Sequence, residues 1–394
     1  MSIENHNIVE TPQLVQLRSE NLNIEYYKIP SSFYIDKFLH DISKRTYQAA
    51  NRLLAKGPSG EGGLLMDNEI QDLRLSARLD GAIDQLSTPI AEVLNRGGKG
   101  WRGYSLAICC RLVGGDFRRH EDWLAFSELL HVGSLIVDDV EDQSLLRRGG
   151  PACHLLYGAD VAINAGTLAY FSVQRLIENA HVGDAARAAI YREYVSLMRL
   201  AHIGQGLDLN LKLNASSIHD LSDTVLLDID GRIDSAHRLK SGAPFKHFAR
   251  IGAILGGGRA DEIDVLGNYF LEVGASFQLI DELLDVTGFT NGGKERGEDI
   301  RNGKWTIPVV RLIRSVRPGK RAQLVDELIA AQTDADVRDQ ILDRLTQSDI
   351  VAACAWEAKE TVNRELAKVR ALVSDDEAFD LLREFSSMVL EKHY

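Results

Sequence analysis

The sequence predicts an all-α fold. Proline is scarce, at 8 of 394 residues, which is about 2% against an average of about 5%. Apolar residues recur three or four positions apart over long windows, as in AWEAKETVNRELAKVRALV (355–373), whereas the alternation typical of strands is hard to find. We therefore expect a bundle of long helices.

The predicted helices follow one another with short breaks. The first covers 34–55 and is followed by KGPSGEGG (56–63), whose Gly and Pro residues are typical of a linker. The second covers 70–95 and ends at the Gly-rich RGGKGWRG (96–103), after which helical periodicity resumes. The later predicted helices cover 120–145, 159–180, 184–212, 243–255, 261–286, 303–315, 321–331, 350–373 and 376–391.

Charge and composition exclude several classes of protein. The chain has 45 basic and 57 acidic side chains and a net charge of −12, so it lacks the clustered positive charge that nucleic-acid binding requires. The opening residues, MSIENHNIVE, have no basic head before an apolar stretch, and no run of about 18 apolar residues occurs. We expect a cytoplasmic protein with no membrane span. The four cysteines form no CxxC pair, and we expect them to be reduced and to serve in packing.

Two acidic clusters are candidates for chemistry. DDVED (138–142) and DELLD (281–285) each follow an apolar run and place carboxylates at i, i+1 and i+4, so the first and last acids share one helix face. Like-charged carboxylates on an apolar face repel one another and need a compensating cation. Mg²⁺ fits because it prefers oxygen ligands, including carboxylates and phosphate. A single cluster of this kind is more often a solvated helix face, but its repetition favours a metal site.

Basic residues flank these acids and suggest a diphosphate ligand. Glycines beside a lysine allow the backbone to approach a ligand closely, and arginine offers paired donors that suit phosphate oxygens. Taken singly, each basic pair could be ordinary surface charge. The residues concerned are Lys99 and Arg102, Arg147 and Arg148, and Lys294 and Lys304.

These motifs together resemble the all-trans isoprenyl diphosphate synthases, also called polyprenyl synthetases. The resemblance extends from about Ile70 to the C-terminus and follows the family's motif order. His131 lies seven residues before Asp138, and Lys99 lies 39 residues before it. The motifs are GGKGWRG (97–103), LLHVGSLIVDDVEDQSLLRRG (129–149), GQGLD (204–208), LKSG (239–242), FQLIDELLD (277–285) and GKERGEDIRNGKWTIP (293–308).

The resemblance implies the isoprenoid synthase fold, in which long helices surround a deep central cavity. It implies a catalytic domain at 69–394, preceded by an N-terminal extension at 1–68 that contains one helix and the linker. It also implies a homodimer. The sequence around the first acidic motif, SLIVDDVEDQSLLRRG, is most similar to the corresponding segment of geranylgeranyl diphosphate synthases.

The resemblance also assigns the metal ligands. Asp138 and Asp142 would hold Mg²⁺ ions that bridge to an allylic diphosphate, with Asp139 and Glu141 in support. Asp281, with Asp285, would hold a further ion from the opposite wall, which makes three Mg²⁺ ions per active site. Neutralising the leaving group in this way would make ionisation of the allylic carbon–oxygen bond feasible.

The substrate contacts are implied in the same way. Arg147, Lys240, Lys294 and Lys304 would bind the allylic diphosphate. Lys99, Arg102, His131 and Arg148 would bind isopentenyl diphosphate, whose alkene attacks the allylic cation. Ser241 and Gln278 would stabilise the positive charge. Gln205 and Asp208 match the family's GQxxD, either as site residues or as supporting residues. A lone His on an apolar face is usually a hydrogen-bonded core residue, but the register of His131 with Lys99 and Asp138 favours a site residue.

The chain departs from the family pattern at several positions. Glu282 replaces a common Asp, Ser241 replaces a usual Thr, and Gly100 and Gly103 replace common Arg and Pro. The segment before Lys294 is one residue short, with Phe289 where an acid is common. These departures leave open the third Mg²⁺ site and the rate of condensation.

The expected function is trans-prenyl transfer, which condenses isopentenyl diphosphate with an allylic diphosphate and releases diphosphate. One alternative is a class I terpene cyclase on the same scaffold, but such an enzyme has no second diphosphate to hold. Another is a non-catalytic subunit that modulates a partner synthase, but such a subunit would be expected to lose one acidic cluster.

Residues before Asp138 are expected to set the product length. In this family the growing chain descends along the helix that bears DDVED, and Ser134 would lie about 6 Å below the metal site. Gly133 and Ser134 are both small, and Leu130, one turn deeper, would form a partial floor. The expected product is therefore longer than farnesyl diphosphate, at about C20.

We predict that replacing Ser134 with Phe shortens the product, because the aromatic ring would block the descending chain. Chain-length analysis of the prenyl diphosphates checks this. An unchanged product distribution contradicts the assignment of a floor at this position.

Overall fold

The computed structural model describes residues 31–54, 76–214, 220–288 and 296–391, which form helices connected by short loops. The N-terminal half contains eight of the helices described here. They are α1 (Ser31–Leu54), α2 (Ser76–Asn95), α3 (Trp101–Leu112), α4 (Asp122–Glu141), α5 (Cys153–Tyr157), α6 (Ala159–Ser172), α7 (Gln174–Glu178) and α8 (Asp184–Asn210), with a 3₁₀ turn at Phe117–His120.

The C-terminal half adds further helices and a π-helical turn. The helices are α9 (Asp223–Ala236), α10 (Ala243–Leu255), α11 (Ala260–Thr287), α12 (Glu298–Arg301), α13 (Ile307–Ser315), α14 (Pro318–Ala330), α15 (Ala335–Thr346), α16 (Asp349–Arg370) and α17 (Asp376–Glu391). The π-helical turn, His237–Gly242, joins α9 directly to α10. Among the residues described, the named strands are β1 (Leu146–Arg147) and β2 (Gly150–Pro151), which form an antiparallel hairpin after α4.

The structure confirms the all-α prediction, although some helix boundaries differ. The predicted helix 159–180 is divided at Val173, and the one predicted at 303–315 begins only at Ile307. Pro308 favours that start because proline suits the first turn of a helix. Residue 55, residues 70–75 and the predicted linker at 56–63 lie outside the described residues.

Four helices are absent from the sequence prediction, namely the short α5 and α12 and the longer α9 and α15. The longer two have narrow apolar faces. In α9 the buried residues are Leu226, Ile233 and Ala236, and in α15 they are Ile341, Leu342 and Leu345. Because the other faces are rich in polar residues, the helical period is weak in the sequence.

Helix α1 packs into the core of the bundle. Ile35, Leu39 and Ile42 belong to one buried apolar cluster with residues of α3, α11 and α17. Ala49 and Ala50 belong to a second cluster with residues of α2, α4 and α6. The domain boundary at residue 68 stays a prediction, but the helix before it shares its core with the helices after it.

The π-helical turn is packed between two glycines of neighbouring helices. A Cβ atom at Gly204 of α8 would overlap the backbone of Leu239 and Lys240, and one at Gly274 of α11 would lie 2.7 Å from the carbonyl oxygen of Ser241. Both helices therefore approach the turn closely, which fixes the positions of Lys240 and Ser241. π-Helical turns occur frequently at functional sites.

The structure bears on the expectations about membrane spans and about the state of the cysteines. In the part of the chain that is described, no helix has both the length and the apolar character needed to cross a bilayer. All four cysteines are buried and free of disulfide bonds, as predicted, and they are Cys109, Cys110, Cys153 and Cys354.

Close helix packing gives a stability prediction. A Cβ atom at Gly252 of α10 would overlap the carbonyl oxygen of Leu106 in α3, so we expect Gly252→Ala to lower the free energy of unfolding by about 1–3 kcal/mol. Gly231→Ala is the matched control, because that glycine lies inside α9 with open space around it. The control should raise the stability by about 0.5–1 kcal/mol. Urea unfolding measures both, and equal effects would contradict the packing.

Candidate active site

The first acidic cluster lies at the C-terminal end of α4, where Asp138 and Asp142 are one turn apart. Asp138 is surrounded by donors from three other elements. Its carboxylate accepts a hydrogen bond from Gln205 Nε2 at 2.8 Å, and it lies 3.3 Å from Lys240 Nζ and 3.6 Å from Arg147 Nη2. Gln205 also donates to Glu141 at 2.7 Å. The predicted LKSG and GQxxD motifs therefore both meet the first acidic motif.

The charge of the cluster is not fully compensated. Partial burial and the neighbouring Asp138 raise the pKa of Asp142, although Lys240 and Lys304 oppose that shift. A raised carboxyl pKa indicates that the ionised form is disfavoured where it stands. A bound cation would relieve this repulsion.

Asp139 is buried and holds Arg147. Its side chain is 1% exposed, and its Oδ1 accepts a hydrogen bond from Arg147 Nε at 2.9 Å. Its other oxygen, Oδ2, is buried and has no hydrogen-bond partner. Arg147 belongs to the β1–β2 hairpin, so this contact fixes the hairpin against the end of α4.

Asp208, at the C-terminal end of α8, places two lysines beside the acidic cluster. It lies 2.6 Å from Lys240 Nζ and 3.7 Å from Lys304 Nζ. Burial alone would raise the pKa of Asp208, but the two lysines lower it below its ordinary value. Burial disfavours the charge of Lys304, yet Asp208, Asp299 and Asp142 raise its pKa overall. Asp208, Lys240 and Lys304 are therefore all charged at neutral pH.

The second acidic cluster separates into three environments along α11. The carboxylate of Asp285 is buried and accepts hydrogen bonds from the backbone N–H groups of Glu298 at 3.0 Å and Asp299 at 3.2 Å. Asp285 therefore caps the N-terminus of α12, and its predicted metal role stays a prediction. Asp281, one turn before Asp285 on α11, is half-buried.

Glu282 faces the core. Its Oε1 lies 2.7 Å from His237 Nε2, and its Oε2 accepts a hydrogen bond from the backbone N–H of Ile307 at 3.0 Å. Glu282, where the family commonly has Asp, therefore makes a buried contact that joins α11 to the π-helical turn and to α13.

Ser241 and Gln278 contact each other, and their predicted role in stabilising positive charge stays a prediction. The hydroxyl of Ser241 donates to Gln278 Oε1 at 2.9 Å. Ser241 belongs to the π-helical turn and Gln278 to α11, one turn before Asp281. These oxygen dipoles therefore lie beside the acidic site.

A basic cluster surrounds His131 on α4. Burial and the charges of Arg102, Arg148 and Arg147 lower the pKa of His131 well below its ordinary value, so the ring is neutral at pH 7. Burial lowers the pKa of Arg102 to about 10, which still leaves it charged. Arg148 is paired with the buried Glu128 at 2.8 Å. Guanidinium groups gathered around a neutral imidazole form a site suited to an anion.

The two remaining predicted lysines lie in different settings. Lys99 Nζ is 4.6 Å from the centre of the Trp101 ring, and this cation–π contact holds it beside the start of α3. Trp101 in turn makes edge-to-face contacts with Phe277 and Phe385. Lys294 and Phe289 lie outside the described residues.

The predicted chain-length residues lie on different faces of α4. A Cβ atom at Gly133 would lie 2.6 Å from the carbonyl oxygen of Gly166, so this glycine permits close packing against α6. Ser134 is exposed, and its hydroxyl donates to the carbonyl oxygen of His131 at 2.8 Å. Leu130 is buried in the core. Their role in product length stays a prediction.

The carboxylates fit a divalent metal by their chemistry. Asp138 and Asp142 supply hard oxygen donors on one face, the pKa of Asp142 reports uncompensated charge, and Asp139 Oδ2 is a buried acceptor without a partner. Across the described residues, no three His, Cys, Asp or Glu side chains already form a group that could hold a metal ion. The described partners of Asp138 are the donors Gln205, Lys240 and Arg147, and not other carboxylates.

Sequence reasoning missed Glu128 and Tyr47. Glu128 is 2% exposed and accepts hydrogen bonds from Arg148 and from the Tyr47 hydroxyl. A single acid inside the apolar run LAFSELLH, three residues before His131, was a usable signal. Tyr47 carried no such signal, because its partner is 81 residues away.

The fold and these two clusters define a trans-prenyltransferase, an enzyme that joins isoprenyl diphosphates. The polyprenyl synthetase family model matches residues 83–345. The chain belongs to the polyprenyl synthetase family.

Curated relatives agree with this assignment. A putative geranylgeranyl pyrophosphate synthase 8 of Arabidopsis thaliana, described as chloroplastic, is 32% identical over 64% of this chain and 73% of its own length. A geranylgeranyl diphosphate synthase of Sulfolobus acidocaldarius is 28% identical over 62% of this chain and 72% of its own length.

Solved structures share the fold. Geranylgeranyl pyrophosphate synthetase from Pyrococcus horikoshii matches 91% of this chain and 99% of its own, with a TM-score of 0.75 and 21% identity. A polyprenyl synthase from Caulobacter crescentus, solved with calcium and isoprenyl diphosphate, matches 91% and 98%, with a TM-score of 0.70 and 22% identity. These matches confirm the isoprenoid synthase fold.

The environment of Glu282 gives a prediction that runs against the family pattern. We expect Glu282→Asp to lower the free energy of unfolding by about 1–3 kcal/mol, because the shorter side chain cannot reach both His237 and the backbone of Ile307. The turnover number should not rise. Glu282→Gln, which keeps the length, should retain the acceptor for the backbone N–H of Ile307 but lose the ion pair with His237. Thermal unfolding and steady-state kinetics check this, and a more active, equally stable Asp variant would contradict it.

Proposed function

We propose that this protein condenses isopentenyl diphosphate with an allylic diphosphate in a Mg²⁺-dependent reaction that yields a prenyl diphosphate of about C20. The observation that supports it is the pairing of two sites of opposite charge on one helix. The acidic site at Asp138 and the basic site at His131 are separated by about 10 Å along α4, at about 1.5 Å per residue. That spacing suits two diphosphates with their reacting carbons between them.

At the acidic site, cationic side chains would bind the allylic diphosphate. Lys240, Lys304 and Arg147 already face the carboxylates of Asp138 and Asp208. Mg²⁺, held by Asp138, Asp142 and Asp281, would supply charge neutralisation of the leaving group, and we propose three ions. The side chains hold the diphosphate so that charge is compensated as the carbon–oxygen bond breaks.

The basic site would bind the diphosphate of isopentenyl diphosphate through Arg102, Arg148, His131 and Lys99. The allylic carbon–oxygen bond breaks and its electron pair leaves with diphosphate. The alkene of isopentenyl diphosphate then forms the new carbon–carbon bond. Loss of a proton, taken up by the released diphosphate, restores an alkene. Ser241 and Gln278 direct oxygen dipoles beside the site, which favours the transient positive charge.

A product of about C20 is supported by the names of the relatives. Those from Arabidopsis and Sulfolobus are called geranylgeranyl synthases, and an Aeropyrum pernix relative, 27% identical over 84% of this chain, is called a geranylfarnesyl diphosphate synthase. The small Ser134 agrees with a product longer than C15. A terpene cyclase or a non-catalytic subunit is not favoured, because neither accounts for a basic site that accompanies two acidic clusters.

We also propose that the protein is a homodimer. Large apolar side chains are exposed on neighbouring elements that follow the first acidic motif, and a contiguous apolar surface is typical of subunit interfaces. They are Leu155, Leu156, Ile163, Phe171, Val195 and Ile203. Light scattering should give about twice the chain mass of 43.7 kDa, and a monomer at micromolar concentration would contradict the proposal.

We propose a cytoplasmic location, as the sequence suggests. The chloroplastic designation of the Arabidopsis relatives makes an organelle the alternative. Cell fractionation with an antibody to the chain distinguishes the two locations.

The proposed activity predicts a strict requirement for both substrates and for Mg²⁺. Purified protein should consume C5, C10 or C15 allylic diphosphate only when isopentenyl diphosphate is present, and mass analysis should show mainly C20 product. EDTA should abolish turnover, and excess Mg²⁺ should restore it. Hydrocarbon release from geranylgeranyl diphosphate alone would instead identify a cyclase.

A carboxylate variant tests the acidic site. We predict that Asp138→Asn lowers the turnover number by about 100-fold or more, because one oxygen ligand and one charge are lost where the leaving group is stabilised. Asp380→Asn, which alters an exposed pair with Arg383 on α17, is the control and should retain full activity. Equal turnover in the two variants would contradict the role of Asp138.

A further inference from the structure

Helix α1 reaches the basic site through the side chain of Tyr47. Its hydroxyl donates to Glu128 Oε1 at 2.9 Å, and Arg148 Nη2 donates to the same oxygen at 2.8 Å. Glu128 is 2% exposed, so its charge depends on these donors for compensation. One residue of α1 therefore shares a buried carboxylate with an arginine of the basic site.

Helix α1 packs closely against the loop that carries Lys99 and against the first turn of α3. A Cβ atom at Gly98 would overlap the Tyr47 hydroxyl, and one at Gly103 would lie 2.6 Å from Thr46 Oγ1. The Ser43 hydroxyl donates to the carbonyl oxygen of Gly98 at 3.3 Å. This close approach is possible because Gly98 and Gly103 have no side chains.

Gly100 is fixed by the same contact. Its φ of 64° lies in the left-handed region that favours glycine, and a Cβ atom there would lie 2.9 Å from Ser43 Cα. The departures at Gly100 and Gly103 therefore accompany the docking of α1. In this chain, the loop and the helix form one wall of the basic site.

The Tyr47 hydroxyl is a constant donor. Burial and the charge of Glu128 raise its pKa well above the ordinary value for tyrosine, so it stays protonated at any physiological pH. Arg148 has a φ of 50°, which is uncommon for a residue other than glycine. Its guanidinium is held by Glu128 and, at 3.3 Å, by the carbonyl oxygen of Val93. Tyr47 thus supplies one of the hydrogen bonds that the Glu128 carboxylate needs. The remaining guanidinium N–H groups of Arg148 are then available to a ligand.

We propose that Tyr47 is a positioning residue for the diphosphate of isopentenyl diphosphate, acting through Glu128 on Arg148, so that α1 forms part of that substrate site. This inference rests on the proposed function. It assigns a role in substrate binding to a helix that precedes both acidic motifs and the region matched by the family model.

Tyr47→Phe removes the hydroxyl and keeps the ring. The KM for isopentenyl diphosphate should rise about 3- to 10-fold, which corresponds to the loss of one hydrogen bond. The KM for the allylic diphosphate and the turnover number should change by less than about twofold. Arg52→Ala is the matched control on the same helix, since Arg52 is 59% exposed and pairs only with Asp122 among the contacts described. The control should leave all three constants unchanged.

A second substitution approaches the same contact from the loop. Gly98→Ala should also raise the KM for isopentenyl diphosphate, because its methyl group displaces the Tyr47 hydroxyl and crowds Arg148. In the double variant the two effects should fall short of additive, since both act on one hydrogen bond. If Tyr47→Phe does not fold, Gly98→Ala alone must show the selective rise.

The outcomes separate this inference from the proposed function. An unchanged KM for isopentenyl diphosphate in folded Tyr47→Phe overturns the role of Tyr47, as does an equal rise for both substrates. A wild-type protein that turns over allylic diphosphate without isopentenyl diphosphate overturns the proposed function instead. Thermal unfolding of each variant establishes that it is folded.

Discussion

The arrangement of the site depends on the repulsion between carboxylates at the C-terminal end of α4. Asp138 and Asp142 stand one turn apart where the helix dipole is also negative, so cationic neighbours stabilise this helix end. Lys240 and Lys304 arrive from separate elements and are held by Asp208. Three features bring cations to this place: the π-helical turn, the hairpin, and an isolated antiparallel β-bridge that pairs Lys304 with Lys212.

The structure achieves these contacts through close backbone approach. Gly204 and Gly274 let α8 and α11 press on the π-helical turn, and Gly98 lets α1 press on the loop before α3. Close-packed interiors tolerate little displacement, so charged side chains that start from these segments are held in place. Rigid placement of charge, more than the number of charges, makes the site suited to diphosphate chemistry.

Much of the site could be predicted, because the first acidic motif and its partners carry charge at fixed intervals along helices. Asp138, Lys240 and Gln205 meet because their motifs have a defined order and helices present them at one end of the bundle. Tyr47 could not be predicted, because its contact with Glu128 depends on how two helices distant in sequence dock. Helix α9 was not predicted because few of its residues are buried, so its apolar periodicity in the sequence is weak.

Adjacent residues of the β1–β2 hairpin serve different sites. Arg147 contacts Asp139 at the acidic cluster, whereas Arg148 contacts Glu128 at the basic cluster, and the left-handed backbone of Arg148 directs the two guanidinium groups apart. Any displacement of this six-residue hairpin (146–151) moves both groups together. If ligand binding displaces the hairpin, the two clusters would be coupled, and such coupling would be reciprocal. The hairpin is thus a direct covalent connection between the acidic cluster and the basic cluster.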